Sequence, residues 1–170
     1  MRLSTGRAVA VLSVAAMAGS ATTAVSAAGH DTGDHGRHRG QALLSTSLAP
    51  SVPSDPVLNG ASAGGAPWVL TRGTARLGRD GDFRVRIRGL VIPTAPGNGT
   101  PGPVMTVSAS LYCGASTTAT GTTPSVPISR SGDADIAAQL SVPAKCLAPS
   151  VLIHPNGAGA VYIAANGFGA

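Results

Sequence analysis

The sequence contains no glutamate, a single lysine (Lys145) and few aromatic residues, 3% of the chain. Each shortage removes a class of function. A glycosidase of the paired-carboxylate kind needs two inward acids across a cleft. From residue 67 onward the only acids are Asp80, Asp82, Asp133 and Asp135, all in or beside turn-forming stretches where aspartate bonds local backbone. Trp68, Tyr112 and Tyr162 are the only amphipathic aromatics. They are too few for a sugar-stacking platform or for the base stacking that single-stranded nucleic acid needs. We therefore expect no nucleic-acid partner. His154 is the one histidine in the same region, so a dismutase-type cluster of histidines cannot assemble there. Two cysteines supply too few ligands for a zinc site.

Long apolar runs are also missing. The longest, "AVAVLSVAAMAG", follows Arg2 and Arg7 and is too short to span a bilayer as a mature helix. A basic start, a short apolar stretch and small residues up to Ala27 have the form of a secretory signal peptide over residues 1–27, cleaved after Ala27 or Ala28. The product is expected to be extracellular, with no transmembrane segment in its mature form. Residues 28–66 begin polar, rich in His, Asp and Gly, and continue rich in Ser, Pro and Ala. Such a composition buries too little apolar surface to offset its conformational entropy, which predicts a disordered tail and linker. Within it "ALLSTSL" is the one apolar island that could dock onto the domain. Cleavage after Ala27 would expose Ala28-Gly29-His30. A free amine, two amide nitrogens and a third-position imidazole suit square-planar Cu(II) or Ni(II), with Asp31, Asp34, His35 and His38 close by.

Cys113 and Cys146 are the only cysteines, 33 residues apart. In an exported chain an even count reads as one disulfide. The net charge is +5, with arginine as nearly all of the cationic side chains. An arginine bias together with abundant Ala, Gly and Pro is what a GC-rich coding sequence produces, so the charge alone is weak support for a polyanion partner.

From Trp68 the pattern becomes period two. "WVLTRGTARL" and "FRVRIRGLVI" alternate on either side of "GRDGD". A three-residue Arg79-Asp80-Gly81 loop with Gly81 left-handed pairs Gly78 with Asp82, Leu77 with Phe83, Ala75 with Val85 and Gly73 with Ile87. A two-residue loop would set Leu77 against Arg84, so the apolar pattern selects the longer one. The other face then collects Arg72, Arg76, Arg84, Arg86 and Arg88, a candidate anion-binding face. Further on, Met105, Val107, Ala109, Leu111 and Cys113 share a predicted inward face, and Ile136, Ala138, Leu140 and Val142 share another. "SVLIH" and "AVYIAA" read as a last hairpin in which a five-residue loop aligns Ile153 with Val161. About seven strands over residues 67–170 predict an all-β antiparallel β-sandwich with one disulfide, Trp68 and Phe83 being its largest core side chains.

"GTARLGRDGDFRVRIRGL" resembles the core hairpin of chordin-type (CHRD) domains over about 18 residues. "GLVIPTAPGNGTPGPVMTVSASLYCG" and "PAKCLAPSVLIHPNG" resemble small secreted proteins of actinobacteria that carry no assigned activity. That resemblance implies a fold and a location but no mechanism. The expected function is a secreted, non-enzymatic binding module without cofactor, its partner an anionic envelope polymer or an acidic protein. A metal-binding role for the amino-terminal segment is the alternative. A small hydrolase using His154 is the third reading, although His154 precedes Pro155 and reads as an extended residue entering a turn.

Overall fold

The computed structural model describes residues 42–166. Among them are eleven strands and no helix: β1 (Ala42–Pro50), β2 (Ser62–Ala63), β3 (Arg72–Gly78), β4 (Asp82–Arg88), β5 (Thr106–Cys113), β6 (Gly121–Thr122), β7 (Val126–Pro127), β8 (Ala134–Gln139), β9 (Pro149–Pro155), β10 (Val161–Tyr162) and β11 (Ala164–Asn166). The expected signal peptide and the His/Asp/Gly-rich segment lie outside the described residues.

β1 corrects the domain boundary. The stretch expected to be linker up to residue 66 supplies the strand that joins the two layers. Ser45 to Ser47 pair with β3, and Leu48 to Pro50 pair with β11, both antiparallel. Alternation explains the strand: Leu44 and Leu48 pack on the core while Ser45 and Ser47 face out. The rest of the sheet follows the order β6–β5–β9–β11–β1–β3–β4–β8, with β7 also on β5. The sheet curls so that β3, β4 and β8 face β5, β9 and β11. Ala75, Leu77, Phe83, Val85, Ile87 and Ile136 from one layer meet Val107, Ala109, Leu111, Val151 and Ile153 from the other. Trp68 and Phe83 are buried in this core.

The β3–β4 hairpin has the expected register. Leu77 faces Phe83, Ala75 faces Val85 and Gly73 faces Ile87. Gly81 adopts φ +85° and donates its N–H to Gly78 O at 3.1 Å. The same register sets Arg76 against Arg84 and Arg72 against Arg88. Opposed like charges cost a few tenths of a kcal/mol. Burying a large apolar side chain contributes about 1.5–3 kcal/mol. Leu77, Phe83, Val85 and Ile87, all fully buried, therefore decide the register and the arginines follow.

The other layer departs from simple alternation. In β5 every residue from Val107 to Tyr112 is buried, and in β9 so is every residue from Val151 to His154. Residues 51–66 fold back over the outer face of these strands. Ala61, Tyr112, Leu152, Tyr162 and Ala165 form a second small core there, with Leu58 and Ala63 against it. Tyr162 Oη donates to Pro56 O at 2.8 Å, and β2 pairs in parallel with β10. The expected β9 hairpin register is displaced in consequence: Ile153 faces Ala164, not Val161, because β10 is taken by β2. Met105, expected inward, is 71% exposed; the strand begins one residue later, and Met105 N–H is held by Asn156 Oδ1 at 2.9 Å.

Cys113, at the end of β5, is disulfide-bonded to Cys146 in the loop between β8 and β9. A cystine of this kind persists in oxidising compartments.

Candidate anion-binding face

One layer is covered on its outside, and the other is left open by the described residues. The open face belongs to β1, β3 and β4, and the arginines stand on it. Its geometry follows from three registers. Ser45 lies beside Arg76, which lies beside Arg84. In the next row Ser47 lies beside Thr74, then Arg86, then Asp135 on β8. The row after that holds Arg72 and Arg88. Rows are about 6.8 Å apart along the strands and neighbours about 4.8 Å apart across them. The curl of the sheet turns this surface into an open groove of about 710 Å³ lined by Arg72, Arg76, Arg84 and Arg86. Ser45, Ser47 and Thr74 add hydroxyls, and Asp80 and Asp82 are the acids that line it among the described residues.

Two of the five arginines are neutralised. Arg84 Nε donates to Asp82 Oδ2 at 2.9 Å. Arg88 Nη2 donates to both oxygens of Asp135, at 3.0 and 2.8 Å. Arg88 Nη1 adds bonds to the carbonyls of Ile87 and Ala134. The Asp82 and Asp135 hydrogen bonds hold these guanidinium groups even more firmly protonated than usual. Arg84 and Asp82 both line the groove as a pair, whereas Arg88 does not line it. Each opposed arginine pair thus keeps one member with a counter-ion. Arg72, Arg76 and Arg86 make no ion pair or side-chain hydrogen bond to any described residue.

The carboxylates are committed to local structure. Asp80 Oδ1 accepts from the N–H of Asp82 in the hairpin loop, and Asp82 and Asp135 serve the arginines. Asp133 accepts from the N–H of Gly89 at 2.9 Å and from the Ser131 hydroxyl at 2.9 Å. Those two bonds, the backbone one first, hold its carboxyl below the usual range.

His154 is 1% exposed on β9, beneath the covering segment. Its Nδ1 lies 2.6 Å from Val161 O, so the ring proton is on Nδ1 and donated there. Nε2 is buried with no hydrogen-bond partner among the described residues, and burial pushes the imidazole pKa down. A relay serine is a separate matter. Gly60-Ala61-Ser62-Ala63-Gly64, in the stretch expected to be linker, has the Gly-x-Ser-x-Gly spacing of a nucleophile elbow. An elbow needs a strand-to-helix turn, whereas Ser62 sits in β2 and makes no side-chain hydrogen bond to a described residue. No hydrogen bond joins it to His154, whose Nδ1 is already engaged by Val161.

The proposed metal ligands His30, Asp31, Asp34, His35 and His38 lie outside the described residues. Among the described residues no group of three or more His, Cys, Asp or Glu side chains gathers to hold a metal ion. No known protein family, curated protein or solved structure matches the chain.

Proposed function

We propose that this is an exported, non-enzymatic binding protein whose open β1–β3–β4 face takes a linear anionic polymer of the cell envelope. The observation that carries this reading is the cation surplus of the groove, four arginines against two aspartates on a surface no other part of the described chain covers. Guanidinium groups present forked donors suited to oxyanions, and the serine and threonine hydroxyls beside them add neutral donors. A shallow, open groove running along the strands fits an extended chain better than a small enclosed ligand. The scarcity of aromatics on it argues against nucleic acid. The amino-terminal pattern and the cystine support export. The turn-bound aspartates and the engaged His154 support binding over catalysis.

The test is retention of the mature protein on immobilised dextran sulfate and on immobilised linear polyphosphate, at low and high salt. Retention at low salt that is released by salt, and lost in the variant carrying Arg72→Ser, Arg76→Ser, Arg84→Ser and Arg86→Ser, is the expected result. Retention unchanged in that variant removes the face from the function. Binding only to an acidic polypeptide would reassign the partner class.

A further inference from the structure

We infer that the open face contains a discrete oxyanion subsite centred on Thr74, built by Arg72, Arg76 and Arg86 with the hydroxyls of Thr74 and Ser47, and that it takes a tetrahedral phosphoryl or sulfuryl group. The inference rests on the anion-binding reading and narrows it to one place.

Thr74 is the crossing point of the grid. Arg72 and Arg76 flank it two residues away on its own strand, on the same face. Arg86 is its direct neighbour on β4, and Ser47 is its direct neighbour on β1. The two nearest guanidinium groups outside this set already have counter-ions, Arg84 in Asp82 and Arg88 in Asp135. The three that remain are the ones without a counter-ion among the described residues. All three line the groove, as do Thr74 and Ser47. Asp135, the carboxylate opposite Arg86 in register, has both oxygens bonded to Arg88 Nη2 and none to Arg86.

The chemistry of the occupant follows from the number and direction of donors. A carboxylate has two coplanar oxygens, which one arginine fork satisfies. Three forks carried at neighbouring positions on two strands, with the Thr74 hydroxyl between them, suit an anion offering oxygens in several directions. A phosphate or sulfate ester does this. Its charge also matches a cluster whose self-repulsion is otherwise unrelieved.

The experiment uses the full mature chain and single variants, with circular dichroism confirming that each retains the sheet. Affinity for polyphosphate and for dextran sulfate is measured at fixed low salt. Arg72→Gln, Arg76→Gln and Arg86→Gln are each expected to weaken binding about tenfold, a charge-assisted hydrogen bond apiece. Thr74→Val should weaken it about threefold, a neutral bond. Arg84→Gln and Arg88→Gln should each change it by less than about threefold, since those charges are already paired. Inorganic phosphate or sulfate should displace the polymer, whereas acetate at matched ionic strength should not. Preference between the two polymers then separates phosphoryl from sulfuryl recognition. Equal losses in all five arginine variants, or equal displacement by acetate, would overturn the subsite and leave a diffuse cationic face. No binding to either polymer would instead overturn the reading of the face itself.

Discussion

Asp135 stands directly across from Arg86 in the β4–β8 register, yet both of its carboxylate oxygens accept from Arg88, at 3.0 and 2.8 Å. Arg88 is thereby neutralised at the edge of the face, and Arg86 is left at its centre with no counter-ion among the described residues. The choice converts an evenly charged row into a patch with a defined middle.

Removing that carboxylate should release a charge. In Asp135→Asn, Arg88 loses its counter-ion and keeps only its bonds to the Ile87 and Ala134 carbonyls, so its charge is available to the face and polyanion binding should tighten. The salt dependence should steepen by roughly one released counter-ion, the increment one more cation contact supplies. Affinity measured across a salt series checks this; an unchanged slope would mean that Arg88 remains turned away without Asp135.

The hairpin that aligns the arginines depends on Gly81. At φ +85° any other L-residue is strained, and a Cβ there would strike the carbonyl oxygen of Leu140. Gly99 has a similar φ of +81°, but a Cβ there would meet open space. Gly99→Ala is therefore expected to cost about 1–2 kcal/mol from the backbone alone. Gly81→Ala should cost more, about 3 kcal/mol or above, by adding the collision to the strain. Urea unfolding of the two variants separates the contributions, and equal losses would show that the Leu140 contact relaxes away.

What could be read from the sequence was whatever depended on local periodicity. The Asp80-Gly81 turn and the alternation of Leu77, Phe83, Val85 and Ile87 fix the β3–β4 register, and the arginine face comes with it. The cystine followed from two cysteines in an export context. β1 escaped because its alternation, from Leu44 to Leu48, is brief and embedded in Ser, Pro and Gly; its pairing with β3 and β11 is long-range. The second core is equally long-range: Tyr112 and Leu152 are covered by Leu58, Ala61 and Ala63, which residues 51–66 bring back over the sheet. Within the site, the register placed all five arginines on one face. Which of them keep a free charge is decided by side-chain reach to Asp82 and Asp135, which carries no periodic signal.

The cystine restrains a chain whose core is made largely of small and medium aliphatic side chains. Cys113 lies opposite Pro149, where the chain enters β9 after crossing from β8. Closing a loop over a separation of 33 residues removes unfolded-state entropy worth about 3–4 kcal/mol. Reduction, or the paired change Cys113→Ser with Cys146→Ser, should lower the urea midpoint accordingly. Polyanion binding should persist in mild reductant wherever the fold does, because β1, β3 and β4 carry the face. Equal midpoints with and without reductant would show that the crossover is held by packing alone.

His154 gives the stability a pH dependence of known sign. The folded state keeps it neutral: burial lowers its pKa, and the bond from Nδ1 to Val161 O opposes that only in part. The unfolded chain titrates it near 6.5. Above that pH both states hold the same number of protons and the group contributes no slope. As pH falls below about 6.5 the unfolded state gains a proton that the folded state resists. Stability should then decline at up to about 1.4 kcal/mol per pH unit until the folded pKa is passed. Asp133, whose carboxyl is also lowered in the fold, acts in the same direction but only below about pH 4, so the decline that begins near pH 6.5 is the imidazole's. His154→Leu should be less stable at pH 7.5, because Val161 O loses its buried donor at a cost of about 1–3 kcal/mol. It should also have a flatter stability profile between pH 6.5 and 5 than the parent. Parallel profiles for parent and variant across that window would show that the ring is reached by water and titrates alike folded and unfolded.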